Sequence, residues 1–298
     1  MLIISFMDIQ NLQAFVHVAD TGSFSRAGES LHLTQPAISK RVAALETQLQ
    51  ASLFDRIGRQ VALTEAGRAL LPRARRILLE LQDTRRALSR LGEQVSGPLI
   101  MGTSHHLGLH RLPPVLREFT LRYPEVDLDI RFMESEAAAH AVERGDLELA
   151  VITLPLQPAP SLATRCVWPD PLVVAVAADH PLAKHPAPGA TALGGWPCIL
   201  PDHSTYTRIL IDTAFADLGV TLQPRLSTNY LETIRMLVSI GIGWGMLPQS
   251  MVGDSLVTLT PPGIHISREL GVVRHRERSL SRAGEELLGL LGVPAAVA

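Results

Sequence analysis

The sequence predicts a small helical domain closed by a β hairpin and joined through one long helix to a larger α/β domain. Three patterns carry this prediction. Apolar residues recur every three or four positions in short helical segments before residue 50. A seven-residue apolar repeat then runs from Leu70 to Leu91, and strand-like runs alternate with helix-like runs from Leu99 onward.

Composition limits the alternatives. A chain of 298 residues with 46% hydrophobic content has enough apolar mass for two or three domains. The net charge is only −2, yet residues 20–76 carry nine Arg and Lys against five Asp and Glu, a local +4 that leaves −6 for the rest. The basic end is therefore the end suited to a polyanion. Cys166 and Cys198 are too few and too far apart for a disulfide framework or a zinc cluster, which suits a reducing cytoplasm. The opening Met1–Met7 stretch is apolar, short and without Lys or Arg, so no signal peptide is expected, and Met1 and Met7 are both possible starts. No run approaches 18 apolar residues, so no membrane span is expected.

Taken in order, Leu12, Phe15, Val16 and Ala19 give a first helix that Gly22 ends. A second short helix and a tight turn follow. Thr34 is then read as the N-cap of a third helix, with Pro36 in its first turn and Ile38, Val42, Leu45 and Leu49 on its buried face. Gln35, Pro36, Ser39, Lys40 and Arg41 face outward, in the manner of a helix that reads base edges and phosphates in the major groove. The same periodicity also fits an ordinary amphipathic surface helix. Residues 57–63 form a hairpin bent at Gly58, which would carry Arg56 and Arg59 to the flank of a duplex or leave them as a solvated basic turn.

Thr64 and Glu65 start the long helix. Pro72 is expected to kink or restart it, and Arg75, Arg76, Arg85, Arg86 and Arg90 are expected on a solvated face. Leu70, Ala74, Ile77, Leu81, Thr84, Leu88 and Leu91 make a seam for pairing with a second chain, or for packing within this one. Strands are expected at 99–102, 126–133, 147–152, 172–177, 197–200, 222–227, 244–247 and 270–274, on a largely parallel sheet. Helices are expected at 106–123 with a break near Pro113, and at 135–144, 205–218, 230–239 and 281–290.

The stretches from Met7 to Phe24, Leu33 to Val42, Leu53 to Arg56 and Leu63 to Gly67 resemble the N-terminal signature of LysR-type transcriptional regulators. One departure is Gly28, where the family usually has a second alanine after Ala27. A mid-helix glycine costs about 1 kcal/mol relative to alanine, so a slightly weaker helix is expected.

The resemblance implies a winged helix-turn-helix DNA-binding domain over 1–67 and a linker or dimerisation helix and hinge over 68–96. It also implies a two-lobed, periplasmic-binding-protein-like effector domain over 97–298, with lobe I about 97–160 and 266–298 and lobe II about 161–265. The implied partners are double-stranded promoter DNA, a small-molecule effector, a homodimer through 70–91, a homotetramer and RNA polymerase, all in the cytoplasm.

Ligands of open α/β sheets sit beyond strand carboxyl ends, against helix N-termini. Thr103, Ser104 and His105 occupy one such junction, and His203, Ser204 and Thr205 another. Gly243 lies in a glycine-rich turn similar to the family's. These residues also fit simple capping and turning.

A solute-binding or enzymatic α/β domain with an accessory helical head is the alternative reading. No G-x-S-x-G, P-loop or H-E-x-x-H motif supports it, so no enzyme, cofactor or metal site is expected. Both cysteines are expected to be buried and inert. The alternative there is the peroxide switch that a subset of the family uses.

Overall fold

Asp8 accepts the Gln10 N–H to open α1 (Ile9–Thr21), and Gly22, left-handed at φ 62°, closes it. Ser23 caps α2 (Phe24–Ser30), and Thr34 caps α3 (Gln35–Leu49) by accepting the Ala37 N–H. The computed structural model describes residues 8–57, 60–89 and 94–294, and the chain divides into two compact units, Met1–Leu88 and Ser89–Ala298.

In the first unit Leu12, Phe15, Phe24, Ala27, Ile38, Val42, Leu45 and Phe54 form the core, with Phe54 set at a tilt to Phe15 and edge-on to Phe24. Gly28 is required by this packing. A Cβ there would lie 2.7 Å from the Leu33 carbonyl oxygen, so the glycine permits a close turn between α2 and α3 as well as carrying a propensity cost. The antiparallel strands β1 (Phe54–Ile57) and β2 (Gln60–Leu63) pair with Ile57 opposite Gln60. Glu46 on α3 accepts the Leu53 and Phe54 N–H groups and so ties this hairpin to the helix.

Thr64 accepts the Gly67 N–H and opens α4 (Glu65–Ser89), a helix about 37 Å long. Of the kink or restart expected at Pro72, the restart does not occur, since the helix is continuous through the proline. The start of the predicted seam belongs to the head itself. Ala74 is fully buried there, and Leu70, Leu71 and Leu78 pack beside it. Arg75 is not simply solvated, since it pairs with Asp20 on α1, and Arg86 pairs with Asp83. Ile77 and Thr84 are exposed and Leu81 is half-buried. The side chains of Arg85 and Leu88, and all of Arg90 and Leu91, lie outside the described residues.

The second unit begins with β3 (Gly97–Thr103), α5 (His105–His110), α6 (Pro113–Arg122), β4 (Val126–Phe132), α7 (Ser135–Arg144) and β5 (Leu149–Thr153). The long strand β6 (Leu162–Ala177) leaves this first lobe. The second lobe contains α8 (Ala190–Gly194), β7 (Cys198–Leu200), α9 (Tyr206–Ala216), β8 (Leu226–Ser227), α10 (Leu231–Ser239), β9 (Trp244–Pro248) and β10 (Leu256–Leu259). Then β11 (Ile266–His275) returns, and α11 (Arg282–Leu290) packs on the first lobe against Leu99, Leu107 and Phe119.

The sheet order is β4-β3-β5-β11-β6-β9-β7-β8, with β10 also on β6. It is mixed rather than largely parallel, because the crossing pair β6 and β11 runs antiparallel to its neighbours. Around Leu270 and Gly271 their register shifts. A Cβ on Gly271 would lie 2.1 Å from the Arg165 carbonyl oxygen, so the two backbones meet closely where the chain passes between lobes. Each lobe keeps its own core, one around Leu99, Met101 and Leu287, the other around Phe215 and Trp244.

Candidate functional site

On α3 the buried face of Ile38, Val42 and Leu45 turns Gln35, Pro36 and Lys40 into solvent, with Ser39 and Arg41 half-buried beside them. Gln35 Nε2 donates to Ser39 Oγ at 2.9 Å, and Arg41 Nη2 donates to Gln10 Oε1 at 2.8 Å. These bonds hold a contiguous polar surface on the first two turns, the part of a recognition helix that meets base edges. The Arg56 side chain and Arg59 lie outside the described residues.

In the second unit a cavity of about 110 Å³ lies between the lobes. Ser104, His105, His106, Glu134 and Glu136 line it from the first lobe, Thr205, Thr207, Asn229 and Tyr230 from the second, and Arg268 from the crossing strand. Arg268 is nearly fully buried. Its Nε donates to Asp170 Oδ2 at 2.7 Å and its Nη1 to Thr207 Oγ1 at 3.2 Å, while Nη2 has no partner among the described residues. Arg111 stands 3.6 Å from the other Asp170 oxygen. Two guanidinium groups thus share one buried carboxylate behind the cavity wall. Burial works against the charge on Arg268, and Asp170 supports it.

Burial pushes the Glu134 carboxyl up toward its neutral, hydrogen-donating form. Burial, reinforced by Arg268, holds the His106 imidazole neutral with its pKa lowered to about 3. Three contacts join the lobes at the rim: Tyr206 N–H donates to Glu136 Oε1 at 2.5 Å, His110 Nε2 lies 2.8 Å from Glu232 Oε1, and the His105 ring stands edge-on to Tyr230.

Of the effector candidates named from sequence, Ser104, His105 and Thr205 line this cavity. Thr205 also caps α9 by accepting the Arg208 N–H. Thr103, Ser204, His203 and Gly243 do not line it. Thr103 is fully buried and donates to the Val151 carbonyl at 2.8 Å. Ser204 bonds back to Asp202, and His203 is exposed beside the same carboxylate. A Cβ on Gly243 would lie 2.2 Å from the Pro197 carbonyl oxygen, so its bareness serves strand packing.

Cys166 is exposed, not buried as expected, because its stretch of β6 crosses between lobes. Cys198 is buried in the second-lobe core. Partial burial raises the Cys166 thiol and full burial raises Cys198 to about 11, shifts that disfavour the thiolate peroxide chemistry uses.

Sequence reasoning missed Arg268, although a signal was present. It occupies an inward position of the alternating Ile266-Ser267-Arg268-Glu269-Leu270 strand, where an apolar residue is the rule. It also missed His106 and His110, which stand four apart on one helix. No described helix is long and apolar enough to cross a membrane.

The "Bacterial regulatory helix-turn-helix protein, lysR family" matches residues 9–68, and the "LysR substrate binding domain" matches residues 92–292. An uncharacterised helix-turn-helix-type regulator of Azotobacter vinelandii is 71% identical over 108 residues, covering 36% of this chain and 75% of that protein. The uncharacterised helix-turn-helix-type regulator YfeR of Shigella flexneri is 32% identical over 285 residues, covering 94% and 91%. A cysteine-to-aspartate variant of full-length OxyR of Pseudomonas aeruginosa shares the fold, with a TM-score of 0.69 at 24% identity over 96% of this chain and 95% of that one. With a helix-turn-helix head that presents a polar α3 face and a two-lobed domain closing on a polar cavity, each matching its family model, the chain belongs to the LysR family of DNA-binding transcriptional regulators.

Proposed function

We propose that this regulator reads promoter DNA through Gln35, Pro36, Ser39, Lys40 and Arg41, with Arg56 and Arg59 on the duplex flank, and responds to a small organic acid bound between its lobes. The observation that carries the effector class is the Arg268 guanidinium, buried in the cavity wall with Nη2 unpartnered among the described residues and with only Asp170 shared between it and Arg111. A ligand carboxylate supplies the acceptor that Arg268 Nη2 lacks. Ser104 and Thr205 provide hydrogen bonds for its remaining polar atoms. Pairing of two chains along the exposed part of α4, beyond the Ala74 contact with the head, sets two reader helices on two half-sites. An effector that prefers one closure of the lobes then shifts the population of assemblies, up to a tetramer, that differ in DNA geometry and in contact with RNA polymerase. The cytoplasm is the proposed compartment.

The test is a thermal-shift screen of the full chain with small organic acids, each paired with its primary amide. Acids that stabilise where their amides do not support the assignment. Equal shifts from acid and amide would remove Arg268 from the role. Footprinting of the region upstream of the gene, with and without the stabilising acid, tests the coupling to DNA, and no protected segment would refute the regulator's local target.

A further inference from the structure

The short helix α5 places His106 and His110 four residues apart on one face, their ring centroids 5.0 Å apart. Glu232, in the first turn of α10 on the opposite lobe, meets them. One ligand atom from each of the three lies within 4.8 Å of the others. His106 is only 6% exposed, yet neither of its ring nitrogens has a hydrogen-bond partner, and Glu232 Oε2 is likewise buried and unpartnered among the described residues. Buried polar atoms are nearly always satisfied, and an unpartnered His106 nitrogen and an unpartnered Glu232 oxygen at one cluster of potential ligands indicate a missing partner.

We propose that His106, His110 and Glu232 form a binding site for a divalent transition metal that clasps the two lobes together. Two imidazoles and a carboxylate select zinc or a neighbouring first-row ion over magnesium or calcium, which prefer all-oxygen shells. Bonds of about 2.0–2.2 Å to such an ion bring the three donor atoms closer than they now stand. His110 and Glu232, partly exposed at 44% and 35%, have room to make that adjustment, while buried His106 is the fixed point.

Charge permits the ion. Arg268 and Arg111 are nearby cations but share Asp170, and Glu232 lowers the cost of the metal itself. Three protein donors leave a further coordination position, and one of the three, His106, also lines the cavity. The metal thus acts as a second input to lobe closure, independent of whether the effector is an acid.

The full chain is stripped with EDTA, dialysed, and titrated with zinc alone by calorimetry, with bound metal counted by plasma mass spectrometry. The expected result is one zinc per chain and a raised melting temperature. His110→Ala and Glu232→Gln, both at partly exposed positions whose loss leaves each lobe core intact, each lower the affinity at least tenfold. His203→Ala, an exposed histidine beside a carboxylate elsewhere, leaves it unchanged. Failure of the wild-type chain to retain zinc overturns the proposal, as does undiminished binding in His110→Ala and Glu232→Gln. The acid-versus-amide screen, run in EDTA, reports on the effector separately.

Discussion

Replacing Arg268 by methionine strands Asp170, which is 1% exposed, with only Arg111 at 3.6 Å for compensation. Removing one partner of a buried ion pair costs about 3–5 kcal/mol, because the remaining charge has lost its solvent and its counter-ion together. Arg111 keeps part of the compensation, so the lower end, about 3 kcal/mol, is expected. For a domain of this size 1 kcal/mol moves the melting temperature by about 2–4 °C, which gives a drop of about 6–12 °C. Removing both charges, in Arg268→Met with Asp170→Leu, returns stability to near wild type, since the desolvation cost disappears with the pair. Arg111 is already 31% exposed and tolerates losing its partner. All three tryptophans, Trp168, Trp196 and Trp244, lie in the effector unit, so their fluorescence follows its unfolding without interference from the head. A shift under about 2 °C in the single variant, or a double variant no more stable than the single, would refute the reasoning.

Gln35→Ala should lose on the order of 1–3 kcal/mol of preference for operator over random DNA, while Lys40→Ala weakens both and lowers the salt slope by about one ion; competition anisotropy at several salt concentrations separates them. Ile77→Asp should dissociate dimers in sedimentation without unfolding the head, whereas Ala74→Leu overpacks the head core at about 1–3 kcal/mol. His106 has a folded pKa of about 3 against 6.5 unfolded, so below pH 6.5 the unfolded chain takes up the extra proton and stability falls with pH. In EDTA, urea melts at pH 7 and pH 5 should show wild type losing about 2 kcal/mol more than His106→Asn.

Most elements were legible in the sequence because each announces itself locally. Thr34 and Pro36 mark the start of α3, Gly22 the end of α1, and Ser135 to Gly145 bound α7. The first half of β6 was not legible, since Pro169 and Pro171 argue against a strand. It persists because β11 pairs along its whole length, a partner about a hundred residues away. Likewise β8 shrank to Leu226–Ser227 at the sheet edge, and β10 was not foreseen. The site was half legible for the same reason. Ser104 and Thr205 stand at helix starts, where donors gather. Arg268 and Asp170 converge only through the register of two crossing strands, and Thr103 looked available until its hydroxyl turned out to serve Val151.

The Glu136 contact bears on how an acid, the effector class proposed above, would enter the cavity. Its carboxylate accepts the Tyr206 N–H at the start of α9, the position where a helix end would otherwise attract the ligand's own charge. Glu136 therefore bridges the two lobes, and its charge would oppose an acid entering at this helix end, so such an effector has to displace it. Glu136→Gln keeps an acceptor for Tyr206 but removes the repulsion. The most stabilising acid from the paired screen should then bind about tenfold tighter, roughly 1.4 kcal/mol, with its amide unaffected. Calorimetry on the two variants decides it, and an acid that binds Glu136→Gln no better than wild type would show that the ligand carboxylate lies away from the α9 terminus, against Arg268 alone.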